Sequence, residues 1–169
     1  ALVLWIAAPA HAATGGVLLA AGILQRVRLA RWAGDRTFAD RLVLVLHVGY
    51  AFVPLGFLLI GLSAFTAAVP PSAGIHAWTA GAVGLMTLAV MTRATLGHTG
   101  QALHAGPATQ AIYACVLVGA LLRVCAAVHG SLPLIEAGGT LWIAGFAGYV
   151  VVYGPLLVRR KPAWTQARC

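Results

Sequence analysis

Histidine carries most of the chemistry that this sequence can offer. Six histidines stand beside only three acidic residues in a chain of 169. With so few carboxylates, paired-acid catalysis is hard to build, and Asp35 and Asp40 lie among arginines whose charge they would balance. Imidazole suits copper and zinc, and it is a common ligand of haem iron. Haem held within a membrane needs two histidines at one depth on different helices, so that each ring reaches the iron from one face. An arginine beside such a pair would neutralise a haem propionate. The sulfur ligands are weaker candidates. Cys115 and Cys125 lie about 80° apart around a helix and read as buried small residues. Met86 and Met91 offer soft sulfur to copper, but two methionines in an apolar stretch read first as packing. No P-loop, GxSxG, HExxH or GxGxxG site is present.

The elements that must position these residues are membrane helices. The chain is 61% hydrophobic and 8% charged, against about 25% charged in a soluble domain. Too little polar surface remains to cover a water-soluble globule, so the bilayer is the expected solvent. Spanning it takes about 20 apolar residues. Five stretches qualify, at about 2–24, 42–69, 75–96, 108–129 and 138–158. The expected fold is an all-α polytopic bundle forming one membrane domain over residues 1–169. Pro54 removes a backbone hydrogen bond and predicts a kink or tilt in the second span. Trp5, Trp78 and Trp142 fall near span ends, and the tyrosines within or near spans, as anchors or packing residues.

The net charge of +8 does not mark a nucleic-acid partner. Arg26, Arg28, Arg31, Arg36 and Arg41 fall in one short segment, and Arg159, Arg160, Lys161 and Arg168 in the tail. Basic residues flanking apolar spans are the positive-inside signature. They predict a membrane protein with its C-terminus in the cytoplasm, its N-terminus on the far side and lipid as its surroundings.

This topology sorts the histidines by depth. His47 lies about 8 Å inside the cytoplasmic edge, at 1.5 Å of rise per residue. Arg93 lies at a similar depth, with His98 and His104 at or beyond that edge. On the other side, His76 opens the third span and His129 closes the fourth, with Arg123 about 9 Å deeper. His11 falls near the middle of the first span with no partner at its depth. Each also has a plainer reading. Interfacial His76, His104 and His129 can face water and headgroups, Arg93 and Arg123 can snorkel, and a buried His11 can bond a neighbouring carbonyl.

The stretch HAWTAGAVGLMTLAVMTRATLGHTG, residues 76–100, closely resembles the signature of the NnrS family, bacterial membrane proteins associated with the response to nitric oxide. LHVGYAFVPLGFLLIG at 46–61 is similar to the family's preceding helix, and YGPLLVRR at 153–160 to its last helix and basic exit. The resemblance implies a polytopic protein of the bacterial inner membrane, which makes the far side the periplasm, containing haem, of b type, and copper. It covers most of the chain and marks His47, His76, Arg93 and His98 by position in its motifs. The chain resembles the C-terminal half of longer members; it is either a short relative or one part of a longer protein, in which case some ligands would lie in an N-terminal half. The expected metal ligands are therefore His47, His98 and His76, followed by His11, His129 and His104, with Arg93 beside the cofactor. Two other readings remain. One is a structural accessory subunit of a larger membrane complex with no cofactor of its own. The other is a metal transporter or chaperone with His11 and the far-side histidines along its path.

Overall fold

A computed structural model describes residues 1–32 and 34–158. The basic tail (Arg159, Arg160, Lys161 and Arg168) and Cys169 lie outside the described residues. The protein is all-helical. Helix α1 runs Leu2–Ala7, α2 Ala12–Ala30, α3 Arg41–Ser63, α4 Pro71–His76, α5 Gly84–Thr99, α6 Pro107–His129 and α7 Leu132–Val158. A 3₁₀ turn at Gly34–Thr37 sits between α2 and α3. A π-helical segment, Ala77–Val83, joins α4 to α5 without a break.

Local chemistry sets these ends. Asp40 caps α3, its carboxylate accepting from the Leu42 and Val43 amides at 3.0 and 3.3 Å. Pro71 and Pro107 open α4 and α6, where no amide donor is needed. Gly100 and Gly130 end α5 and α6 in the left-handed region, at φ 71° and 64°.

Four helices are long and apolar enough to cross a membrane: Arg41–Ser63, Pro71–Thr99, Pro107–His129 and Leu132–Val158. The chain is a multi-pass membrane bundle. The stretch at 2–24, read above as one span, is instead two helices. Pro9 disfavours helical backbone at Ala8, which adopts φ −147° and ψ 69°, and the chain turns before α2 begins. Helix α2 then runs past Leu24 and takes Arg26 and Arg28 into its last turns, so it is not among the four. The other limits also move. Helix α3 ends at Ser63, the third span begins at Pro71, and α7 begins at Leu132 and carries Glu136. Helix α3 continues through Pro54.

The most extensive pairing is α6 against α7, followed by α2 against α3. The continuous helix 71–99 lies between these pairs, touching α3, α6 and α7. Half of its most apolar window is buried, compared with 17% for α7. It is therefore the central element, and α7 the most open one. Close approach needs small residues, because lipid gives helices no hydrophobic reason to associate. A Cβ on Gly119 would lie 2.8 Å from the Gly138 carbonyl oxygen, so α6 and α7 touch backbone to backbone. Buried hydroxyls add directional ties. Thr95 Oγ1 and Tyr149 OH are 2.8 Å apart, and Thr109 Oγ1 and Tyr153 OH 2.6 Å apart. The Tyr149 and Tyr153 rings stack at 5.0 Å.

Candidate functional site

The end of the bundle that carries the α2–α3 loop holds the best-defined candidate. His47 lies in the second turn of α3 and is half-buried. Its Nδ1 is 3.1 Å from the Val43 carbonyl oxygen, one turn back. A carbonyl only accepts, so Nδ1 must carry the proton and donate. Nε2 is then left with its lone pair, and it is buried without a hydrogen-bond partner among the described residues. A metal-binding histidine has this form, with one ring nitrogen donating to a carbonyl and the other free to ligate.

The surrounding wall comes from the loop. Trp32 meets the His47 ring edge-on at 6.0 Å. Trp32 also packs on Tyr50 at 4.6 Å, and the Arg28 guanidinium lies 5.5 Å from the Trp32 ring. Tyr50 donates to Gln25 Oε1 at 2.7 Å, tying α3 to α2. Gly34 covers the imidazole. A Cβ there would lie 3.0 Å from His47 Cδ2 and 3.7 Å from Nε2. Neither Trp32 nor Gly34 was singled out as part of a site from the sequence. They lie among arginines in a segment whose apparent purpose was charge, and only the folded loop brings them onto His47.

The other residues expected at this end are present but spread out. Arg93 and His98 are exposed on α5, and His104 is exposed in the connection to α6. None of the three makes a hydrogen bond or ring contact to His47 among the described residues. Within those residues, no three of His, Cys, Asp or Glu gather closely enough to hold a metal ion between them.

The opposite end is organised around the π-helical segment. Such segments are rare and occur often at functional sites. Trp78 points from it onto α3, donating to the Val53 carbonyl at 3.0 Å, and its indole occupies the space a side chain on Gly56 would fill. From α7, Trp142 donates to the Ala80 carbonyl at 3.2 Å. Beside Trp142 lies a cavity of about 350 Å³ lined by His76, Thr79, Ala80, Val83, Arg123 and Trp142. His76 and Arg123, assigned to one side by depth, do meet here. His129 is exposed at the last position of α6.

His11 is placed differently from the expectation. The break at Pro9 makes it the N-cap of α2, where its Nδ1 accepts from the Ala13 amide at 3.2 Å and the ring is exposed. It stands at a helix end, level with the end of α3, because Gly15 packs against Gly61 and Ala64.

No curated protein and no solved structure matched this chain. The family model described as NnrS protein matches residues 1–161, nearly the whole length, including α3 with His47 and the α–π–α helix with His76, Arg93 and His98. This chain therefore belongs to the NnrS protein family.

Proposed function

We propose that this chain is a membrane haem- or copper-binding protein of the nitric oxide response, with His47 as a metal ligand. The observation that carries the reading is the buried Nε2 of His47, unpartnered among the described residues, behind an anchored Nδ1. A buried acceptor left without a partner costs about 1–3 kcal/mol, and a metal bond would remove that cost. The residues fit one bond to haem iron or to copper. When bound, the metal would supply redox chemistry and a coordination position open to a small diatomic ligand.

The chain's own residues have definite parts in this scheme. The Val43 carbonyl holds the tautomer and the ring plane. Trp32 excludes water from one side of the ring. Arg28, above Trp32 and Tyr50, brings a positive charge that suits a propionate. Gly34 lies over Nε2, so ligation requires the α2–α3 loop to lift. The basic character of that loop supports a cytoplasmic placement in a bacterial inner membrane, with His76 and His129 towards the periplasm.

The test is a reduced-minus-oxidised absorption spectrum of the purified protein, with iron and copper quantified in the same sample. A haem or copper signal that is lost in His47→Ala is the expected result. Full retention in His47→Ala removes the assignment. His98→Ala, run beside it, reports whether the exposed neighbour supplies a second bond. A second reading has its own support, since 17% burial of the α7 window leaves most of that helix uncovered. Under it the chain is a subunit of a larger membrane assembly, and metal-free protein co-purifying with one partner complex would favour it.

A further inference from the structure

The cavity at the opposite end carries an arginine whose placement needs explaining. Helix α6 has 23 residues and is about 35 Å long, against about 30 Å of hydrocarbon. Arg123 is six residues from its end at His129, about 9 Å inward. An arginine near an edge ordinarily snorkels outward, but this one does not. Side chains on α6 lean towards the helix N-terminus, which here means towards the bilayer centre. The Arg123 stem lies against Gly138, and its Nη2 would be 3.1 Å from a Cβ on Gly139, one residue deeper along α7. The guanidinium is thus held at depth, on a track cleared by two glycines.

A charge at that depth is costly unless paired. Asp40 is committed to capping α3 at the other end of the bundle, and Asp35 lies in the loop at that same end. Glu136 is the one acidic residue near this end, and it is exposed in the first turns of α7. His76 faces the same cavity and adds a further donor, whereas the Thr79 hydroxyl is committed to the Ile75 carbonyl at 2.8 Å. Trp142 is already committed to Ala80. The deeper wall is Val83, which is 58% exposed on the outer surface of the bundle. The cavity therefore has a cationic, donor-rich head and an apolar flank open to lipid.

We propose that this cavity binds the phosphate of an anionic phospholipid, with Arg123 as the principal charge, His76 as a further donor, and an acyl chain along Val83. The site is separate from His47 and stands whether or not a metal binds there. A free oxyanion would use the same donors, so the experiment separates the two sources.

The full chain in detergent is titrated by native mass spectrometry with phosphatidylglycerol, with phosphatidylcholine, and with inorganic phosphate as competitor. The expected result is a preference for phosphatidylglycerol of about tenfold. It should be lost in Arg123→Gln, largely kept in Arg123→Lys, and unchanged in Arg26→Gln, which removes an exposed charge on α2. Thermal unfolding of each variant confirms that it is folded. No preference in the wild-type protein, or an undiminished preference in folded Arg123→Gln, overturns the proposal. Phosphate binding that depends on Arg123 without any lipid preference overturns the lipid source.

Discussion

One hydrogen bond at His47 does more to single out a candidate ligand than the number of histidines. Six are present, and composition ranks them only by position. The Val43 contact separates His47 from the rest because it decides which nitrogen is free. His11 shows the opposite case, since its Nδ1 is spent capping a helix. Depth in the sequence grouped His76, Arg123 and His129 on one side, and the first two line one cavity, whereas His11 was misplaced because a single proline reset its position. At this scale, Gly34→Val should press on the His47 ring in the closed arrangement and favour the lifted loop, so metal content in the purified protein should be kept or raised while the helical circular dichroism stays unchanged. Tyr149→Phe should leave the buried Thr95 hydroxyl with one partner fewer and cost about 1 kcal/mol, read as an earlier thermal unfolding in detergent.

The helices were legible as types and less so as lengths. Apolar runs identify spans, but hydrogen bonding decides where they stop, and Pro9, Pro71 and Gly100 each moved a limit. The π-helical turn had no signature in hydropathy, because the pattern of its residues is as apolar as an α-helix would show. It places Trp78, Thr79 and Ala80 where α3, α7 and the cavity each receive one of them. Deleting Ala82 would restore an α-helical turn and rotate α5 by about 100° relative to α4. The expected outcome is loss of the Thr95–Tyr149 contact and a protein that fails to run as a single species in size-exclusion chromatography. Gly119→Leu would force α6 from α7 at their closest point. Overpacking of this kind costs about 1–3 kcal/mol, measurable as a lowered unfolding temperature.

For the whole molecule, charge asymmetry was the most readable property. The α2–α3 segment is rich in arginine, and the turn from α6 to α7 has no formal charge at Gly130 and Ser131. With Cys115 and Cys125 replaced by serine, a cysteine at Ser131 should react with a membrane-impermeant maleimide added to spheroplasts, and one at Thr37 should not. The two-residue turn also bears on biogenesis. Helices α6 and α7 are joined too closely for either to be threaded and released alone, so they would enter the bilayer together as a hairpin. Under the proposed orientation, Arg123 and Glu136 would cross on opposite arms, so the translocated portion would have no net formal charge. The order of synthesis then has a physical meaning: the glycine seam between the two arms is complete before the hairpin meets the helices it must pack against.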